Sequence, residues 1–309
     1  MSHPVLIDTD TGVDDAMALI LAFHCPELSI EAITTVAGNV ETPKCTRNVL
    51  KVLDLIHPIR RPRVGHGAER PLARALTTAP EVHGADGLGG AAGDGRIPAV
   101  PDGVSPAVDV IADACNRFGS RLTIVALGPL TNLALANRLH PRSFRRLGRI
   151  ISMGGAFHVP GNTGPLAEFN YYVDPEAAQE ILNAAVPVTV IPLDVTEQCI
   201  LTRRQLEALV ERRPGRLGRF VLRMTEYYMR YHEVTEGFFG GYLHDPLAVA
   251  VAANSTLVRT AAASVHVQCA GTWTRGMTVR SKSPGSPVRV ATSVDRTRVL
   301  RLIRNRLLG

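Results

Sequence analysis

The sequence predicts an α/β fold: an open, mostly parallel, Rossmann-like sheet with helices on both faces and an active site at the strand carboxyl ends. Three observations lead there. Short β-rich runs alternate with helical patterns along the chain. Several runs, such as "TIVAL" and "VTVIPL", are nearly all apolar, as strands buried on both faces must be. Many runs end in a polar or glycine-rich stretch ("DTD", "AGN", "LGPLTN", "MGGAF", "LDVT"), where open α/β sheets bind their ligands. The chain has no internal repeat and no low-complexity linker, so residues 1–309 read as a single domain.

In order, "PVLIDTD" reads as a strand and "DDAMALILAFHC" as a helix. "LSIEAITTVAG" follows as a strand and "TPKCTRNVLKVLDLI" as a helix. Then come "RLTIVALG" (strand), "LTNLALANRL" (helix), "GRIISMGG" (strand), "DPEAAQEILNAA" (helix) and "VPVTVIPLDVT" (strand). Residues 77–103 and 157–170 read as long loops, which often carry function over a sheet edge. The tail "RTRVLRLIRNRLLG" sets Val299, Leu300, Leu302, Ile303, Leu307 and Leu308 among arginines at near-helical spacing. It predicts a terminal helix packed on the domain.

Composition narrows the class. With 45% hydrophobic and 20% charged residues, the chain resembles an ordinary soluble enzyme. The apolar run "AMALILAF" is too short to span a bilayer and no basic segment precedes it. Neither a membrane partner nor a signal peptide is expected. The five cysteines are scattered and lack CxxC spacing, which suits reduced thiols in a cytoplasm rather than disulfides or zinc. The net charge of +6 comes mainly from arginine, since only Lys44, Lys51 and Lys282 are lysines. No nucleic-acid motif or aromatic–basic stripe accompanies it, so no nucleic-acid partner is expected.

The chemistry concentrates in "VLIDTDTGVDDA", where Asp8, Asp10, Asp14 and Asp15 follow an apolar strand. Two like charges about 4 Å apart repel by roughly 4 kcal/mol at an effective dielectric near 20. Such a cluster needs a cation, shared protons or full hydration. Asp14 and Asp15 suit a helix first turn, but that leaves two further aspartates unexplained. An all-oxygen carboxylate site suits a hard cation, calcium or magnesium.

Two enzyme classes open this way. "DTDT" fits the DxDxT start of haloacid-dehalogenase-type magnesium phosphatases, which also need a later lysine and a later acidic pair. "DTDTGVDDA" resembles the DxDxGxDDA opening of the inosine–uridine-preferring nucleoside hydrolases. The resemblance continues in order through "ITTVAGN", "VHGADGLGG", "LGPLTNLA", "MGGAF", "GNTGPLAEFN", "DPEAA" and "HDPLAVA", over residues 5–251. Thr11 stands where many members have proline, and Arg280 replaces the acidic residue of a common GxTVxD pattern.

The resemblance implies hydrolysis of the N-glycosidic bond of a ribonucleoside, with Ca2+ at the bottom of the ribose pocket. Asp10, Asp15 and Asp245 would ligate it with side chains, and Leu127 with its backbone carbonyl. Asp8 would support the loop. Asp14, Asn39 and Asn170 would hold the ribose 2′- and 3′-hydroxyls, Asn162 and Glu168 the 5′-hydroxyl, with Met153 lining the same crevice. Asp10 is the candidate general base toward water. His83 and His244 are the candidates for protonating the leaving base, a pair that points to pyrimidine-tolerant or base-nonspecific members. Tyr228 and Tyr231 would wall the base pocket, or simply pack in the core. Another N-riboside such as nicotinamide riboside, or a silent nucleoside-binding role, are the competing functions. Members are usually homodimers or homotetramers.

Overall fold

The computed structural model describes residues 2–93, 104–283 and 287–309. Its strands are β1 (His3–Thr9), β2 (Leu28–Thr35), β3 (Arg63–His66), β4 (Ser105–Pro106), β5 (Thr123–Ala126) and β6 (Arg149–Met153). The later ones are β7 (Val188–Ile191), β8 (Ile200–Thr202), β9 (Gly240–Tyr242), β10 (Val258–Val267), β11 (Thr278–Lys282) and β12 (Val288–Val294). Ten of them form one sheet in the order β11-β10-β12-β7-β6-β5-β1-β2-β3-β4, while β8 and β9 pair separately. From β4 across to β12 every neighbouring pair is parallel, and only β10 and β11 run against their neighbours.

The apolar runs behave as a doubly covered sheet requires. Along β1, Val5 and Ile7 enter one hydrophobic cluster and Leu6 the other. Val125 and Ile151 join the first, while Ile124, Ala126 and Ile150 join the second. The alternation places helices Val13–Phe23, Thr42–Ile56 and His244–Ala253 on one face and Ala107–Phe118, Thr131–Leu139 and Pro175–Leu182 on the other.

The order in which strands are added reverses at β1. The sequence first runs β1 to β4 toward one edge, then returns to β5 on the other side of β1 and continues outward. A crevice therefore opens between the carboxyl ends of β1 and β5, the topological switch point where such sheets bind ligands. Asp8, Asp10 and Leu127 sit at that spot.

The helices expected from periodicity form at Val13–Phe23, Thr42–Ile56, Thr131–Leu139 and Pro175–Leu182. The C-terminal helix Arg296–Arg306 buries Val299 and Ile303 and ties Arg306 to Glu27 at 2.6 Å. One strand is shorter than expected: after Ile191 the segment "LDVT" turns into the short helix Leu193–Thr196, because Pro192 cannot donate to a sheet ladder. The loop expected over 77–103 contains the short helix Pro80–His83, and its residues 94–103 lie outside the described residues. Among the described residues no helix is long and apolar enough to cross a membrane.

Candidate active site

The Asp10 and Asp15 carboxyls are wholly buried at the β1 end. Asp10 Oδ2 accepts the Asn39 backbone N–H at 2.7 Å, which joins the ends of β1 and β2. Its Oδ1 has no hydrogen-bond partner. Asp15 Oδ1 accepts from Thr9 Oγ1 at 2.5 Å, and its Oδ2 from Gly12 N at 2.8 Å and Asn39 Nδ2 at 3.0 Å. Thr11 N–H donates to Thr9 Oγ1 at 3.1 Å, a bond that proline at this position could not make.

Asp245 arrives from the first turn of helix His244–Ala253, far along the chain but packed against helix Val13–Phe23. One carboxylate oxygen from each of Asp14, Asp15 and Asp245 falls within 4.8 Å of the others. Burial, and then the neighbouring carboxylates, push the Asp10, Asp14 and Asp245 pKa values up; burial alone leads for Asp15. Among the described residues no lysine or arginine pairs with this cluster, and His83 Nδ1, 3.9 Å from Asp14, accepts a hydrogen bond from Val13 N and supplies no charge. A buried anionic cluster with an orphaned oxygen and no protein cation is what a hard metal ion would complete.

Asp8 stands apart. Its Oδ1 accepts from Thr34 Oγ1 at 2.5 Å and Asn132 Nδ2 at 2.8 Å, which suits the supporting role expected for it. Burial raises its pKa to about 7. No lysine approaches to serve a phosphatase: Lys44 pairs with Glu41, and Lys51 donates to Ala92 O.

A cavity of about 510 Å³ opens over the cluster. Asp14, Asn39, Leu127, Met153, Asn162, Glu168, Asn170, Tyr228, Tyr231, His83, His244 and Asp245 all line it. Asn170 Nδ2 donates to Leu127 O at 2.7 Å and to Met153 O at 3.3 Å, tying the ends of β5 and β6 together. Glu168 also caps helix Phe169–Val173: its oxygens accept the N–H groups of Gly155, Asn170 and Tyr171. Burial nonetheless raises its pKa to about 7. Asn162 Oδ1 accepts from Phe169 N, so this residue serves the turn as well as the cavity.

The histidines line the same cavity beside the aspartates. Burial lowers the pKa of both His83 and His244 to about 3, with nearby His232 adding to the effect, so both are neutral. His83 Nδ1 accepts the Val13 N–H at 3.1 Å, which leaves the ring proton on Nε2. His244 Nδ1 bonds the Thr196 hydroxyl at 2.7 Å. Tyr228 stacks on His83 with ring centroids 5.6 Å apart.

Among the cavity residues that sequence reasoning missed are His232, Glu236, Glu197 and Tyr242. Tyr228, His232 and Glu236 recur every four residues on helix Arg216–Glu236, so one helical stripe presents all three. Fixing the register on Tyr228 would have exposed the other two. Glu197 follows the carboxyl end of β7, where the strand-end rule also points.

Residues 5–301 match the family model of the inosine–uridine preferring nucleoside hydrolases. The chain belongs to that family. It is 38% identical to a pyrimidine-specific ribonucleoside hydrolase, RihA, of Salmonella typhimurium over 320 aligned positions, covering 99% of both chains. A plant nucleoside hydrolase structure superposes with a TM-score of 0.92 at 37% identity over 100% of each chain. A purine-preferring ribonucleoside hydrolase from Gardnerella vaginalis gives 0.90 at 34% identity, over 99% of this chain and 98% of that one. The chain is therefore a ribonucleoside N-ribohydrolase, and the phosphatase alternative falls away.

In this nucleoside hydrolase the backbone presses directly on Asp10. A Cβ on Gly128 would sit 2.7 Å from Asp10 Oδ1 and 3.0 Å from Asp10 N. Gly128→Ala is expected to displace the carboxylate and lower kcat/KM by at least about tenfold, since small misplacements at a reacting centre are costly. Steady-state kinetics beside a circular dichroism spectrum would check this; wild-type kinetics would contradict it.

Proposed function

We propose that the enzyme is a calcium-dependent, pyrimidine-tolerant ribonucleoside hydrolase that seats the ribose over the aspartate cluster and the base against the histidines. The observation that carries this reading is the unpartnered, fully buried Oδ1 of Asp10, which neighbours the Asp14–Asp15–Asp245 carboxylate cluster whose Asp14 and Asp245 line the cavity. Asp10, Asp15 and Asp245, with the carbonyl of Leu127, would hold the ion, and the placement of Asp14 within the same cluster gives it a hand in the same site. When bound, the ion supplies charge compensation and Lewis acidity that makes water easier to deprotonate.

The chain's own groups do the rest. Asp10 takes the proton of the attacking water at its free oxygen. Asp14, Asn39 and Asn170 orient the ribose hydroxyls, and the surrounding carboxylates favour the positive charge that develops on the sugar. Glu168 and Asn162 face the 5′ end. The neutral His83 offers its Nε2–H to an oxygen or nitrogen of the departing base, and His244 relays a proton with Thr196 behind it. Tolerance of pyrimidines is supported by these two histidines and by the likeness to the pyrimidine-specific RihA.

Two experiments test the reading. Calcium titrated into chelator-treated protein should give one binding event per chain by calorimetry, and Asp245→Asn should weaken it at least tenfold; no binding heat in active protein would contradict the metal assignment. His244→Ala should slow poor leaving groups such as uracil by about 10²-fold or more, and barely slow an activated aryl riboside. An equal loss on both substrates would remove His244 from leaving-group activation.

A further inference from the structure

One wall of the cavity is rich in hydrogen-bond acceptors. His232 is 5% exposed and lines the cavity, with its Nδ1 2.8 Å from the Tyr228 carbonyl. A carbonyl only accepts, so Nδ1 carries the proton, and the neutral ring keeps Nε2 bare as an acceptor. Among the described residues no protein group bonds that Nε2. The ring is clamped edge-on by Tyr228 at 4.5 Å and Tyr242 at 5.0 Å, so it cannot turn freely. Glu236 follows one turn later on the same stripe, and Glu197 enters from the β7 side. Burial, then the charges of Glu236 and Asp194, raise the Glu197 pKa to about 7, so this carboxyl is purely an acceptor only above that pH.

We propose that His232, Glu197 and Glu236 form an acceptor wall that selects nucleobases carrying an exocyclic amine, cytosine and adenine, over their oxo counterparts uracil and hypoxanthine. The inference rests on the base lying against this wall of the cavity, as in the function proposed above. An amine on the base donates to a bare imidazole nitrogen or a carboxylate. An oxo group in the same place brings a lone pair against a lone pair and leaves the buried His232 Nε2 unpaired, which a site built to hydrogen-bond penalises. The hydroxyls nearby do not reverse this. Tyr228 already donates to Tyr242 O at 3.2 Å, and Tyr231 and Tyr242 can donate or accept.

The test compares kcat/KM for cytidine against uridine, and for adenosine against inosine, in the wild type, E236Q and E197Q/E236Q. Both members of a pair use the same ribose site, so the ratio within a pair cancels damage to it. Its change between wild type and variant also cancels intrinsic leaving-group chemistry. The amide adds a donor where an oxygen stood, so both ratios should fall at least about tenfold in the double variant. E236Q alters an exposed side chain and should move them in the same direction without threatening the fold. Unchanged ratios with ribose released from all four substrates would overturn the acceptor wall alone. Failure to release ribose from any of them would overturn the wall and the base placement together.

Discussion

Asp10→Asn is expected to lower kcat by about 10³-fold or more while leaving the fold intact. Asp10 Oδ2 is committed to the Asn39 N–H, an anchor the asparagine carbonyl can retain. The amide nitrogen must then replace the unpartnered Oδ1. It presents two N–H donors where the proposed mechanism needs a proton acceptor and an anionic ligand. Shape and volume barely change, so the loss reports chemistry. Single-turnover ribose release beside a thermal melt separates the two, and turnover near the wild-type rate would remove Asp10 as the base.

The second large effect is on stability. Asp8 and Glu168 have folded pKa values raised to about 7, and burial and mutual repulsion also raise those of Asp10, Asp14 and Asp245. A carboxyl whose folded pKa exceeds its unfolded value binds its proton more tightly when folded. The stability it contributes is complete below the ordinary carboxylate range and is lost as pH rises through about 7. Chelator-treated protein should therefore melt at lower temperature at pH 8 than at pH 5. Calcium competes with protons for the cluster, so it would stabilise strongly at pH 8 and do little at pH 5. The Tm gap between calcium-loaded and chelated protein should widen to at least about 5 °C at pH 8. A gap that stays constant with pH would contradict a cation in the carboxylate cluster.

The parts legible in the sequence were those governed by short-range rules. The apolar run before "DTD" gave β1 and its functional end, because a strand buried on both faces has few alternatives. Helix Thr42–Ile56 followed from its apolar spacing. Strands β10, β11 and β12 were not foreseen, since their exposed positions toward the sheet edge dilute the apolar signal. Asp245 was placed at the site only through family resemblance: nothing local marks an aspartate in a helix first turn as a partner for residues 230 positions earlier. His232 and Glu236 were missed because their meaning depends on the rotation of one long helix, which tertiary packing sets.

The most direct measurement is ribose release from inosine, uridine, cytidine and adenosine, first with the enzyme as purified, then after chelation, then with calcium restored. The account predicts release that includes the pyrimidine nucleosides, is lost on chelation and returns with calcium. Release undiminished in protein shown to be free of divalent ions would contradict it.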